Sequence, residues 1–143
     1  INPPGSGWVV EDGLITLKQE VDGKEHNHEY LWTEQKYGDF VFELEFKIPE
    51  RANSGVFIRT PDMKNPVYTG LEIQVCNSFG RDTLSRGGTA GAVYDCQAPS
   101  ANPVKKPGDG TSSASPAIRT SSRSNSTANR LWTWMSIAGP NRT

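Results

Sequence analysis

The chain has 143 residues, of which 34% are hydrophobic, with 14 Gly and 10 Pro, a mixture that favours short strands joined by turns over long helices. Its formal net charge of −1 gives no electrostatic basis for binding nucleic acid or an acidic membrane surface. No apolar run approaches the roughly 18–20 residues that a membrane-spanning helix requires.

The N-terminal part of the sequence contains one predicted hairpin. The sequence begins at Ile1 without Met or a targeting segment, which we interpret as a fragment or a processed form. Two short apolar runs within residues 8–17 flank Asp12-Gly13, and Asp-Gly between such runs predicts a tight β-hairpin. Residues 18–29 are polar and predict a loop, and residues 30–32 predict a short strand.

Residues 40–48 form the clearest predicted strand. Apolar and other side chains alternate there, as in a strand with one buried and one solvent-facing side. The predicted inner residues are Phe40, Phe42, Leu44, Phe46 and Ile48, and the predicted outer residues are Val41, Glu43, Glu45 and Lys47.

Three further short strands are predicted at residues 55–60, 70–75 and 91–94, separated by loops rich in Pro, Gly and Ser. Regularly spaced strands with turn signals between them predict an all-β sandwich or jelly roll. The two cysteines, Cys76 and Cys96, allow one disulfide at most, and a pair of buried thiols is an equal alternative.

The outward residues of these strands are the first candidates for chemistry. If the strands pair side by side, they form a patch of three carboxylates, an amide and a guanidinium: Glu43, Glu45, Glu72, Gln74 and Arg59. Carboxylates serve as general acids or bases, and Arg can hold a carbonyl oxygen or an oxyanion. The competing interpretation is an ordinary solvated sheet face, which carries the same residue types.

The only histidines, His26 and His28, would lie on one side of a strand, as metal ligands require. Their surroundings are rich in Lys and Glu, which favours a solvated loop. We therefore predict no metal site, and the residues do not define a cofactor.

Four segments together resemble the 3-keto-disaccharide hydrolase family: GWVVEDGLITL, LWTEQKYGDFVFELEFKIPERANSGVFIRT, YTGLEIQV and GTAGAVYDCQAPSANPVKKPG. Each segment alone is a weak signal, but their combination over about 100 residues is specific. The resemblance implies a concanavalin A-like jelly roll, C-terminally incomplete here, that acts on glycosides oxidised to a 3-ketone. It also implies a carbohydrate substrate and an exported, periplasmic or extracellular location.

The resemblance implies cleavage by removal of the C2 proton, β-elimination and hydration, a route that needs a base, an acid and a group that stabilises the enolate. By motif position, the predicted catalytic residues are Glu72, Arg59 and Glu45. The predicted substrate-binding residues are Gln74, Asn53, Glu43 and Tyr94. Two alternatives remain open: a non-catalytic, lectin-like carbohydrate-binding module, since one fold hosts both functions, and a structural module of a larger exported protein.

The composition changes at Asp109, so we divide the sequence into a domain at residues 1–108 and a tail at residues 109–143. From Gly110 onward there is no Asp or Glu, although the chain holds 16 acidic residues. One interpretation is a disordered Ser-rich linker. The other is translation out of frame. When suitable codons for Leu131 to Ser136 are read two bases further on, they encode apolar residues that alternate with Asp. We expect a domain without its closing strands to expose sheet edges and to be poorly soluble and inactive.

Overall fold

The computed structural model of the chain describes residues 5–18, 20–26, 29–38, 40–50, 52–102, 104–106, 118–120 and 129–137. Contacts divide the chain into two compact units, Ile1–Lys47 with Ala114–Ala138 and Ile48–Ser113 with Gly139–Thr143. Strands dominate the described residues, whose only helix is the single turn α1 (Pro66–Thr69). The predicted all-β fold class is therefore confirmed. Within the described ranges, no helix is both long and apolar enough to cross a membrane.

The first unit begins with the predicted hairpin. Strand β1 (Trp8–Glu11) pairs antiparallel with β2 (Leu14–Leu17), and Glu11 lies opposite Leu14. The two turn residues, Asp12 and Gly13, have φ angles of 50° and 78°. Positive φ at both positions is the signature of a type I′ turn, which matches the twist of the flanking strands.

A second Asp-Gly turn follows where the sequence predicted only a loop. Asp22 and Gly23 have φ angles of 53° and 72° and connect β3 (Glu20–Val21) to β4 (Lys24–Glu25) in an antiparallel pair. The prediction was wrong because these strands are only two residues long and carry no apolar alternation. The predicted short strand at residues 30–32 is also absent: these described residues lie outside the strands.

Strand β5 (Phe40–Lys47) confirms the predicted alternation. Phe40, Leu44 and Phe46 are buried together with Trp8 of β1, whereas Phe42 is half-buried. Burying large apolar side chains on one side of a strand supplies the main stabilisation of such a layer, about 1.5–3 kcal/mol for each side chain.

Two strands in the tail pair with β5, although the sequence pattern predicted no strand there. Strands β8 (Ile118–Thr120) and β9 (Asn129–Ile137) complete a sheet of order β1-β2-β9-β5-β8. The β9 pairings with β2 and β5 are parallel, and the β8 pairing with β5 is antiparallel. β9 contains β-favouring Trp and Thr residues despite its lack of alternation, and β8 and β9 are not hairpin partners.

The second unit is built on two antiparallel strands, β6 (Asn53–Ile58) and β7 (Leu71–Cys76). β6 starts two residues before the predicted strand and ends before Arg59, which has a φ of 53°. The predicted strand at residues 91–94 is reduced to single bridges from Val93 to Ile73 and Gln97. The core of this unit includes Val75, Ala90 and Ala92, each with 0% exposure.

Candidate functional site

The β6–β7 ladder brings three of the predicted site residues to one side of the sheet. Asn53 lies opposite Cys76, Gly55 opposite Gln74 and Phe57 opposite Glu72. Directly opposed residues of an antiparallel pair project from the same face. Asn53, Glu72 and Gln74 therefore share a face. The alternation predicted this for Glu72 and Gln74, whereas Asn53 joins them because β6 starts two residues before the predicted strand.

Glu72 is the acidic residue of this face, and its setting favours proton transfer. Its side chain is half-buried, and this burial raises the pKa of the carboxyl group above its ordinary value, because the charged form loses solvation. Within the described residues, the carboxylate has no hydrogen-bond or ion-pair partner. A carboxylate that is desolvated and unpaired is a stronger base than one in water.

Gly55 provides the space for the Glu72 carboxyl group. A Cβ atom built on Gly55 would lie 2.7 Å from Cγ and 2.8 Å from Cδ of Glu72, closer than non-bonded carbon atoms approach. The Glu72 side chain thus lies across the bare backbone of β6. Gly55 belongs to the NSG segment of the family resemblance, but spacing alone did not reveal that it positions Glu72.

Gln74 is buried, with 3% exposure, and its amide orientation is fixed by one hydrogen bond. Its Nε2 donates to the carbonyl oxygen of Gly87 at 3.0 Å. The other amide atom, Oε1, is fully buried and has no hydrogen-bond partner. Buried polar atoms are rarely left without a partner, so Oε1 is an unsatisfied acceptor next to the cleft.

An open cleft of about 340 Å³ borders this face. Its floor contains the buried residues Gln74 and Cys76, and its rim contains polar and aromatic side chains. The full lining is Glu50, Ala52, Asn53, Gln74, Cys76, Asn77, Arg81, Gly87, Gly88 and Tyr94. Three predicted substrate-binding residues, Asn53, Gln74 and Tyr94, therefore lie in one cleft.

Tyr94 connects the cleft to Glu72 through the backbone. The Tyr94 amide donates to the carbonyl oxygen of Glu72 at 2.8 Å, so the two residues lie side by side across the edge of β7. The Tyr94 ring is 45% exposed, which leaves it accessible for stacking on a sugar ring.

Arg81 is the cation of this cleft, and the sequence prediction did not include it. Its Nη1 donates to the carbonyl oxygen of Gly88 at 2.7 Å. A Cβ on Gly88 would lie 2.5 Å from Nη1 of Arg81, so a larger residue there would displace the guanidinium. The residue lies in a loop with no periodic pattern, so only the folded chain reveals its position.

The other predicted site residues do not line the cleft. Arg59 is an exposed residue beyond the end of β6 and is not among the residues that line the cleft. Glu43 and Glu45 lie on β5 in the first unit, where Oε2 of Glu43 is buried without a hydrogen-bond partner. Their predicted roles in catalysis and sugar contact stay predictions.

A family model described as a 3-keto-alpha-glucoside-1,2-lyase-like domain matches residues 2–110. The chain belongs to this family. The family resemblance seen in the sequence is thereby confirmed, and the matched residues include all of β6, β7 and the cleft. No curated protein and no solved structure matches the chain significantly.

The loop that contributes Arg81, Gly87 and Gly88 to the cleft of this lyase-like domain is held by buried hydroxyl groups. Ser78 and Thr89 both have 0% exposure. The Ser78 hydroxyl donates to Oδ1 of Asn102 at 2.8 Å and accepts from the amide of Ala90 at 3.2 Å. The Thr89 hydroxyl accepts from the amide of Ser85 at 2.9 Å. The predicted Gly- and Ser-rich loop is therefore held in place by side-chain hydrogen bonds.

The histidine segment differs from its predicted solvated state. His26 is buried, and its Nδ1 contacts Oε1 of Glu29; His28 lies outside the described residues. Ser6 donates to Oε2 of Glu29 at 2.6 Å. This bond, followed by the contact with His26, lowers the pKa of Glu29. The cluster ties the segment before β1 to the chain after β4, and within the described ranges no group of three or more His, Cys, Asp or Glu residues could hold a metal ion.

The cysteines form no disulfide. Cys76 is buried and Cys96 is exposed, and both are free. Of the two open alternatives, the structure therefore supports thiols, with only one of them in the core. Burial raises the pKa of the Cys76 thiol, whose Sγ lies 3.5 Å from the carbonyl oxygen of Gly88.

Proposed function

We propose that this domain cleaves the glycosidic bond of 3-keto-glycosides, with Glu72 as the base that removes the C2 proton. The 3-ketone acidifies that proton, because the resulting carbanion is delocalised onto the ketone oxygen as an enolate. The family membership supports the substrate class. The observation that carries the assignment of Glu72 is its half-buried, unpaired carboxylate on the same face as an oriented amide.

The proposed reaction begins when a Glu72 oxygen takes the C2 proton and the C–H electron pair forms the enolate. Collapse of the enolate forms the C1–C2 double bond and breaks the bond from C1 to the leaving oxygen. The leaving alkoxide takes the proton that Glu72 removed from C2, which restores the carboxylate, and addition of water across the double bond completes hydrolysis. Proton transfer by a positioned side chain contributes about 10²–10⁴-fold to such a step.

Replacement of the base tests this proposal. We expect Glu72→Gln to abolish release of p-nitrophenol from p-nitrophenyl 3-keto-glucoside, because an amide cannot accept the C2 proton. The matched control is Glu34→Gln, at an exposed residue of the first unit. The assay uses the 143-residue chain and a version whose tail is translated in the alternative frame. Turnover that survives Glu72→Gln in an active chain would remove Glu72 from the role of base.

A non-catalytic carbohydrate-binding module is the second candidate. It is favoured by one observation: the cleft lining includes Asn53, Gln74 and Tyr94 but not Glu72. A cleft of hydroxyl-binding groups next to an exposed aromatic ring suits neutral sugars. Binding of unoxidised glucosides without turnover of any 3-keto-glucoside would favour this candidate over the lyase.

A further inference from the structure

Two cleft residues, Gln74 and Arg81, are each held by a hydrogen bond to a backbone carbonyl oxygen, and the two carbonyl groups belong to consecutive residues. Gln74 is held on the carbonyl oxygen of Gly87 and Arg81 on that of Gly88. After these bonds, Gln74 retains the buried, unpartnered acceptor Oε1. Arg81 has used one of its five N–H donors in this bond. The two head groups therefore offer an acceptor and a set of charged donors to one ligand.

We propose that Gln74 and Arg81 together recognise the α-hydroxyketone unit of an oxidised sugar. The hydroxyl group donates to Oε1 of Gln74, and the neighbouring ketone oxygen accepts from the guanidinium of Arg81. This inference rests on the proposed function for the identity of the ligand. It assigns to Arg81 the contact with the ketone oxygen that the resemblance implied for Arg59.

The donor and acceptor balance explains why a ketone suits this pair better than an alcohol. A ketone oxygen brings only lone pairs to Arg81, which has only donors. A hydroxyl at the same position brings a proton that needs an acceptor, which the guanidinium of Arg81 cannot supply. Negative charge that develops on the ketone oxygen during proton abstraction would strengthen the same contact.

Arg59 is less suited to this contact. It lies after the last residue of β6, is exposed, and has a left-handed backbone conformation with φ of 53°. Arg81 instead lines the cleft with Gln74, and Gly88 leaves space for its guanidinium.

Binding of a keto sugar without a glycosidic bond tests the proposal. The probes are 3-keto-1,5-anhydroglucitol and its parent 1,5-anhydroglucitol, titrated against the 143-residue chain by ligand-observed NMR. We expect the chain to prefer the ketone. Arg81→Gln should raise the Kd for the ketone about tenfold or more, the effect of losing a charge-assisted hydrogen bond, and should remove the preference. Arg81→Lys should retain part of it.

The matched control is Arg86→Gln. Arg86 lies in the same loop, pairs with Asp95 at 3.3 Å and does not line the cleft, so its replacement should leave both Kd values unchanged. Gln74→Met should weaken both sugars, because each loses its hydroxyl acceptor. Thermal unfolding followed by circular dichroism verifies that every variant is folded. If Arg81→Gln does not fold, Arg81→Lys, which keeps the charge, is used in its place.

Four results would overturn the proposal: no ketone preference in the unaltered chain, an unchanged Kd in folded Arg81→Gln, a larger loss in Arg59→Gln, or tighter binding of glucuronate than of the ketone. Failure of the proposed function is distinguishable, because the probe has no bond to cleave. If Glu72→Gln binds the ketone with an unchanged Kd and an active chain keeps its turnover without Glu72, then Glu72 is not the base. The proposed recognition of the ketone by Gln74 and Arg81 would still stand.

Discussion

At the scale of single residues, the absence of a side chain at Gly55 makes room for Glu72. We expect Gly55→Ala to lower kcat on a 3-keto-glucoside by about tenfold to a hundredfold, because a misplaced catalytic group loses this much per ångström. The added methyl group would occupy the position of the Glu72 carboxyl and displace it. Stability should change little, since the displaced atoms are the flexible end of a side chain.

Gly38→Ala is the matched control for this substitution. A Cβ on Gly38 would meet no atom within 4 Å, so kcat and Tm should both be retained. Unchanged kcat in Gly55→Ala, with kinetics recorded beside a thermal melt, would show that Glu72 acts from another position.

Glu72 also links activity to stability through its protonation. Its pKa is raised by burial, so the folded chain holds this proton more tightly than the unfolded chain does. The stability associated with the bound proton is fully present below the unfolded pKa and is lost as pH rises through the folded pKa. At neutral pH the ionised group therefore costs stability that Glu72→Gln recovers.

We expect Glu72→Gln to raise the Tm slightly at pH 7 and to lose this advantage at acidic pH. A base must be ionised, so kcat/KM of the chain with Glu72 should fall as the pH is lowered. The midpoint of this fall should lie above the ordinary pKa of Glu. Melts from pH 3 to 8 and a pH–rate profile check the two signs. A lower Tm at neutral pH would show that the carboxylate has a stabilising partner.

At the scale of elements, the cleft depends on the loop after β7. Ser78→Ala should lower the free energy of unfolding by about 1–3 kcal/mol, because it leaves the Ala90 amide without its acceptor and removes the bond to Asn102. Binding in the cleft should weaken as well, since this loop carries Arg81. Urea unfolding measures the change, with exposed Ser100→Ala as the control. Equal stabilities of the two variants would contradict the role of Ser78.

Elements with a strong local pattern were predictable from the sequence. The alternation of β5 and the Asp12-Gly13 turn each combine a chemical signal with a backbone requirement. Asp22-Gly23 carries the same turn signal, but its strands are too short to show a period. The burial of His26 was not predictable, because it depends on Glu29 and on space left by Gly7.

The site was predictable only where it lies on strands. Glu72 and Gln74 share a face because the period of a strand is two. Asn53 joins them only because β6 begins before the predicted strand. Arg81 enters the cleft through a loop shaped by Ser78 and Thr89, and no periodic pattern encodes such a path. For the same reason, the position of Arg59 beyond β6 was missed.

At the scale of the whole molecule, two independent boundaries nearly coincide. The family match ends at residue 110, and the last acidic residue of the chain is Asp109. A natural linker gives no reason for the acidic residues to disappear at the same place where the family match ends. A shifted reading frame would produce both boundaries, because it changes every later residue at once. The pairing of β9 with β5 does not oppose this, since β-favouring residues form ladders in any frame.

We infer that one base has been lost near codon 109. The genomic DNA should contain the missing base, and the restored frame should encode a hairpin with alternating apolar and acidic residues around an Asn-Gly turn. That hairpin would cover a sheet edge, so the restored chain should be more soluble than the 143-residue chain and should turn over a 3-keto-glucoside. A chain ending at Gly110 is the control: it lacks the altered tail and also the hairpin, so it should stay inactive. A gene that encodes the present tail in frame would contradict the inference, as would equal solubility and turnover in all three chains.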